Sequence, residues 1–308
     1  MKQKHLLSLK DYSREDIEAI FDLAAKLKAA PGEYAQALRG RCLGMIFQKP
    51  STRTRVSFEV GMYQLGGKAI YLSADDVQLN RGETVADTAR VLSRYLDGIM
   101  ARVFSHQDVL DLAKYGSIPV INGLSDLLHP CQPLADYFTL RERRGVLEGL
   151  KVAYVGDGNN VCHELMMGAV KLGMSFACAS PKGYEPNQLI VRAAARDAPK
   201  SGAPVPMVTT DPMAAVAGAD VVYTDVWTSM GQEAEAQARV QAFQGYQVTS
   251  AMMAAASPDA VFMHCLPAHR GEEVAADVID GPQSVVFDEA ENRLHTQKAL
   301  LILLLTNR

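Results

Sequence analysis

Six places along the chain carry side chains able to grip an anion, orient a carbonyl or hold a small polar ligand. They are Ser51-Thr52-Arg53-Thr54-Arg55, Arg102, His129-Pro130-Cys131-Gln132, Gly156-Asp157-Gly158-Asn159-Asn160, Asp225-Val226-Trp227-Thr228-Ser229-Met230 and His264-Cys265-Leu266-Pro267. The first joins an apolar run to a helical pattern, so it sits where backbone N–H groups and the positive end of the helix dipole favour an anion. Three hydroxyls and two guanidiniums add donors, although a serine-capped helix with solvated arginines has the same composition. The Gly-x-x-x-x-Gly-Lys-Ser pattern of a nucleotide triphosphate loop is missing, and a smaller phosphate compound fits better.

The other stretches narrow the chemistry further. Gly156-Asp157-Gly158-Asn159-Asn160-Val161 has the placement of a dinucleotide fingerprint, but its sixth position is Val161 and the next strand pattern ends in Ala179-Ser180-Pro181-Lys182, without a carboxylate for a ribose. A turn presenting Asn159 or Asn160 to a small polar ligand is the better reading. His129 with Cys131 and His264 with Cys265 are zinc-type ligands without paired-ligand spacing, so no metal is expected. His163 and His269 read as helix-start and loop residues.

These clusters need a scaffold, and hydrophobic periodicity supplies one. Apolar runs at 43–47, 68–72, 99–103 and 118–121 read as strands, with helices over 52–65, 84–97 and 107–115 between them. Before them, Ser13 and Asp16 form a capping pattern ahead of the stripe Ile17, Ile20, Phe21, Ala24 and Leu27. A helix over 133–144 runs into Gly145 and Gly149, the expected domain boundary. A second series has strands at 152–155, 176–179, 221–224, 261–264 and 285–287, with a breaker-rich loop at 200–206. The final helix, 289–306, ends so apolar that it must be buried. The fold class is therefore α/β, with two domains, 1–145 and 146–308. Each has a mainly parallel sheet flanked by helices, and the last helix packs back on the first domain. All six clusters then fall at carboxyl ends of strands, where open parallel sheets bind ligands.

Composition excludes several classes. The 308 residues are 48% hydrophobic and 21% charged, a balance that folds. A net charge of −4 gives no general field for nucleic acid or an anionic membrane, so neither is an expected partner. The longest apolar stretch, 299–305, falls far short of the roughly 20 residues that span a bilayer, and the chain opens polar, which points to the cytoplasm. Cys42, Cys131, Cys162, Cys178 and Cys265 are odd in number and contain no Cys-x-x-Cys pair, so reduced thiols are expected.

Taken together, the stretch 47–67, His129-Pro130-Cys131-Gln132, the segment 225–233 and His264-Cys265-Leu266-Pro267 closely resemble the carbamoyltransferase family, and within it the branch acting on ornithine. The resemblance covers nearly the whole chain. It implies transfer of the carbamoyl group of carbamoyl phosphate to the δ-amine of L-ornithine, giving L-citrulline and phosphate, in arginine biosynthesis or the arginine deiminase pathway. It also implies a carbamoyl-phosphate domain followed by an ornithine domain, no cofactor, and a homotrimer, or a multiple of trimers, with sites at subunit interfaces. Matched position by position, Ser51, Thr52, Arg53 and Thr54 hold the phosphate, with Arg102 as a second cationic clamp. His129 points at the carbamoyl oxygen, and Gln132 and the carbonyls near Cys265 and Leu266 accept from the carbamoyl amide. Arg293 adds a contact from the last helix, and Gln78 matches a residue reaching a neighbouring subunit. Asn160, Asp225, Ser229 and Met230 resemble the set holding the α-amino and α-carboxylate groups of ornithine, with Cys265 near the reacting amine. The catalytic set so implied is Arg53, Arg102, His129, Asp225 and Cys265. Two residues depart from the pattern: Gln48 stands where an acid is expected, and Glu164 where a small hydroxyl residue is expected.

Overall fold

A computed structural model describes residues 3–73, 82–228 and 233–306. The chain divides into two compact units, Met1–Phe138 with Glu291–Arg308, and Thr139–Ala290.

The first unit begins with α1 (Arg14–Ala29), where Ser13 and Asp16 form the reciprocal capping box and Ile17, Ile20, Phe21, Ala24 and Leu27 are buried. There follow β1 (Cys42–Phe47), α2 (Thr52–Gln64), β2 (Lys68–Ser73), α3 (Val85–Leu92), β3 (Gly98–Arg102), α4 (His106–Tyr115) and β4 (Val120–Leu124). The strands form one parallel sheet in the order β2-β1-β3-β4. Next along the chain after β4 comes α5 (Cys131–Arg144).

The helix expected over 84–97 is shorter. It stops at Leu92, where the Ser93 hydroxyl donates to the Ala89 carbonyl and the chain turns. The strand expected at 118–121 lies instead at Val120–Leu124 and includes Asn122-Gly123, a pair that reads as a turn. Buried Asn122 belongs there because its backbone N–H donates to Leu6 and its amide to Leu7.

The second unit holds β5 (Lys151–Val155), α6 (Asn160–Lys171), β6 (Ser175–Ala179), α7 (Gln188–Ser201), β7 (Met207–Thr209), α8 (Pro212–Val216), β8 (Val221–Thr224), α9 (Ala236–Ala242), α10 (Ser250–Ala255), β9 (Val261–His264) and α11 (Ala276–Ile279). Its sheet is parallel in the order β7-β6-β5-β8-β9. The strand expected at 285–287 is absent: Ser284 makes a single bridge to Phe262, and Val286 already begins α12 (Val286–Leu305). The three-residue β7 escaped the sequence reading because it lies beside the breakers at 202–206.

Both sheets bury near-continuous apolar strands, as two-sided parallel sheets require. The apolar end of α12 is buried at Ala299, Leu300, Leu301, Leu304 and Leu305. Among the described residues no helix is long and apolar enough to cross a membrane.

Candidate functional site

In the first sheet the chain moves from β1 outward to β2, then returns to place β3 on the other side of β1. That reversal opens a crevice at the carboxyl ends of β1 and β3, the place where such sheets bind ligands. Phe47 and Arg102 pair in register there, so the start of α2 and the Arg102 side chain belong to the same edge. Ser51 caps α2, its hydroxyl accepting from the Thr54 N–H at 3.2 Å, which leaves a helix start of the kind that attracts anions. Thr52 and Arg53 are exposed, while Thr54 is buried.

Residues far apart in sequence converge on this edge. Arg293, from α12, donates to Gln132 Oε1 at 2.5 Å and to Thr54 Oγ1 at 3.2 Å. Gln132 in turn donates to Asp136 at 2.8 Å, which fixes its amide with the oxygen towards Arg293. Gln297, one turn further along α12, presents its amide oxygen to Arg293 Nη2 at 3.0 Å when the amide is oriented to satisfy both its ends. Sequence reading missed it, because a glutamine in an apolar helix carries no signal until its neighbour is known. His129 is buried, and desolvation, followed by the nearby Arg293 and Arg102 charges, holds its imidazole well below the usual histidine range. It is therefore neutral, with one ring N–H available to donate.

Two neighbours of this edge do other work. Arg55 stacks on Tyr71, 3.9 Å from the ring centre, and pairs with Glu59 at 3.0 Å. Gln48 accepts from the Phe104 N–H at 2.8 Å and donates to Asp108 at 3.1 Å, tying β1 to the start of α4. An amide can do both, and an acid there would face Asp108. Gln78 lies outside the described residues.

The second sheet reverses between β5 and β8, and the candidate ornithine residues gather at that crevice. The turn after β5 needs glycine at 158, since a Cβ there would sit 2.2 Å from the Pro186 nitrogen. Asn159 then caps α6, accepting from the Val161 and Cys162 N–H groups. Its amide nitrogen donates to Asp225 Oδ2 at 2.7 Å. Asp225, buried at the end of β8, also accepts from the Val226 N–H at 2.8 Å and the Cys265 thiol at 3.0 Å. Asn160 is the first residue of α6 and is partly exposed, while Glu164, one turn on, is wholly buried. Ser229 and Met230 lie outside the described residues.

Leu266 has φ +55, a left-handed conformation costly for a side chain of this size, and its N–H donates to His264 Nδ1 at 2.8 Å. The other ring nitrogen of His264 faces Glu273 at 3.2 Å. Asp225, His264 and Cys265 place ligand-type atoms close together, but with both His264 nitrogens engaged the trio is ill suited to a metal. None of the five cysteines is in a disulfide.

Arg239 went unnoticed in the sequence because nothing nearby marks it. Buried, it donates to Asp157 at 2.9 Å and to the Trp227 carbonyl at 3.0 Å, and it pairs with Glu235 at 3.1 Å. It thus joins the turn after β5 to the segment after β8. Burial outweighs the favourable Arg239 charge and pushes the Asp157 carboxyl up to about 6.

Residues 4–142 match the model described as aspartate/ornithine carbamoyltransferase, carbamoyl-P binding domain, and residues 148–304 match its Asp/Orn binding domain. An ornithine carbamoyltransferase of Symbiobacterium thermophilum is 60% identical over 309 residues, covering 99% of both chains. One from Thermococcus kodakarensis is 58% identical, covering 98% of this chain and 96% of its own. The solved ornithine carbamoyltransferase from Pyrococcus furiosus superposes with a TM-score of 0.95 at 57% identity, covering 99% of this chain and 98% of its own. The anabolic enzyme of that name from Campylobacter jejuni gives 0.94 at 42% identity, covering 99% of this chain and all of its own.

Proposed function

The chain belongs to the aspartate/ornithine carbamoyltransferase family, and from that premise we propose that it transfers the carbamoyl group of carbamoyl phosphate to the δ-amine of L-ornithine, releasing L-citrulline and phosphate. The observation that carries this reading is the Arg293 guanidinium bonded to both Thr54 and Gln132 at the edge that also holds Arg102 and a neutral His129.

In the proposed reaction negative charge develops on the carbamoyl oxygen and on the departing phosphate. Ser51, Thr52, Arg53 and Thr54 at the α2 start, with Arg102, take the phosphate, where arginine's planar fork can hold two oxygens and stays charged. His129 and Arg293 serve the carbamoyl oxygen. A neutral His129 suits this role because it donates without competing for the phosphate. Each such preplaced donor can lower the barrier by about 3 to 4 kcal/mol. Gln132, and the carbonyls of Cys265 and Leu266, accept from the carbamoyl amide.

Asn160, Asp225, Ser229 and Met230 hold the amino-acid end of ornithine. Asp225, tied to Asn159, Val226 and Cys265, is a positioning group first. The amine must lose its proton before it attacks. At pH 7 an amine of pKa near 10.4 is neutral in about one molecule in 2,500, equivalent to roughly 4.6 kcal/mol. A carboxylate close to the amine raises that cost, whereas desolvation and neighbouring arginines lower it.

The assembly proposed is a homotrimer, or a multiple of trimers, in the cytoplasm, with Gln78 serving a neighbouring subunit's site and no cofactor. A colorimetric citrulline assay with carbamoyl phosphate and ornithine tests the activity. Absence of citrulline from a chain that still binds carbamoyl phosphate would refute it. Sedimentation equilibrium tests the assembly.

A further inference from the structure

We propose that His269, Glu272 and Glu273 form a binding site for one divalent transition-metal ion of the zinc type, in the loop between β9 and α11. The carboxylate of Glu273 is fully buried. Its Oε1 accepts from the His269 N–H at 2.6 Å and faces His264 Nε2 at 3.2 Å. Its Oε2 has no hydrogen-bond partner among the described residues.

His264 engages only the bonded oxygen, Oε1: its Nδ1 accepts from the Leu266 N–H, which leaves Nε2 as the nitrogen that faces Glu273. A buried carboxylate with one oxygen lacking a hydrogen-bond partner is costly. The two groups that its open oxygen approaches are the His269 imidazole, with Nδ1 at 3.9 Å, and, around that same nitrogen, Glu272 Oε2 at 3.8 Å from it. All three ligand-type atoms lie within 4.8 Å of one another. Two carboxylates and a neutral imidazole balance a 2+ ion. One nitrogen and two oxygens suit zinc and its neighbours better than calcium or magnesium, which take oxygen alone.

The spacing is close to what such an ion needs. Bonds of about 2.0 to 2.2 Å in a tetrahedral site place ligand atoms roughly 3.3 Å apart, so the two separations from His269 must close by about half an ångström and the two carboxylates, within 4.8 Å of one another, by up to about 1.5 Å. The half-exposed side chains of His269 and Glu272 can supply that movement. Their backbone is already held. Gly271 turns the chain at φ +92, its N–H donates to the Val274 carbonyl, and Arg270 makes a two-pronged pair with Asp280 at 2.6 and 2.8 Å. Gln247 donates to the Glu272 carbonyl, and the Glu273 carbonyl accepts from the Val248 N–H. Three protein ligands leave a position open to water, and the ion would pin the loop that follows His264-Cys265-Leu266-Pro267.

The test reads metal binding and not citrulline, so its failure is distinct from failure of the proposed activity. The full chain carrying Cys265→Ser, which removes the thiol of the neighbouring Asp225–His264–Cys265 group, is stripped with a chelator. It is then titrated with zinc chloride against a chromophoric indicator. One zinc per chain is expected, bound at least tenfold more weakly when His269→Ala or Glu272→Gln is added, with a rise in Tm on zinc addition that both substitutions abolish. Neither side chain is buried, so both variants keep the fold, which circular dichroism checks. No zinc bound at micromolar concentration, or binding unchanged by either substitution, would overturn the proposal.

Discussion

Replacing Asp157 with asparagine perturbs one buried ion pair, and the structure sets the size and sign of the result. The Asp157 carboxyl sits at about 6 in the folded chain against an ordinary 3.8, because desolvation exceeds the help from Arg239. Between those two values the folded state binds more protons than the unfolded state, so stability falls as pH rises through the window and levels off above it. The full cost of charging Asp157 is about 3 kcal/mol, two pKa units and a little more at 1.36 kcal/mol each. From pH 4.5 to 7 the part expressed is about 2 kcal/mol.

Asparagine cannot ionise, so Asp157→Asn loses this slope while every other group keeps its own. The charge pairing with Arg239 exists only while Asp157 is ionised, so its loss is already contained in that slope; any change in the contacts made by the uncharged side chain shifts the variant's whole curve without tilting it. Urea unfolding of both proteins at half-unit steps from pH 4.5 to 7.5 measures the difference. The stability of Asp157→Asn minus that of the parent should climb by about 2 kcal/mol across the range. A flat difference would refute the reasoning, and a falling one would mean that Arg239 outweighs desolvation.

Arg53→Ala should lower kcat/KM by about 100- to 1,000-fold, the loss expected for a preplaced donor to developing charge, with Tm unchanged because Arg53 is exposed; near-normal kinetics would remove its assigned role. Arg293→Met strands the Gln132 and Thr54 acceptors, costing about 2 to 6 kcal/mol in denaturant unfolding, and relieves the charge that depresses His129, so the imidazole should titrate at higher pH by NMR. Gln48→Glu sets a second carboxylate against Asp108 and should cost about 1 kcal/mol at neutral pH, recovered on acidification as one of the pair takes a proton. The kcat should rise between pH 6 and 8 as the ornithine amine loses its proton, with no step from His129, which stays neutral throughout; a flat profile would show that chemistry does not limit turnover.

Local order was legible where it is carried by neighbours in sequence. The capping box of Ser13 and Asp16, the Ser51 cap and the apolar strands β1, β5, β8 and β9 are each specified within a few residues. The errors share one cause. Val285, Val286 and Phe287 have strand-forming side chains, yet after a single pairing with Phe262 the chain enters a helix that leaves Phe287 71% exposed. Asn122-Gly123 reads as a turn but is held as strand by Leu6 and Leu7. In both cases distant partners overrode local preference.

The chemistry divides in the same way. The sequence alone determined the parallel α/β class and the motifs that mark the family, because residue type, periodicity and short spacing suffice for those. Only the tertiary structure decided that Arg293 grips Thr54 and Gln132, that His129 is neutral, that Arg239 reaches Asp157, and that Glu273 is buried with one oxygen unpartnered. Protonation and partnership depend on desolvation and on charges a few ångströms away. Those distances exist only once chain segments far apart in sequence have been packed together.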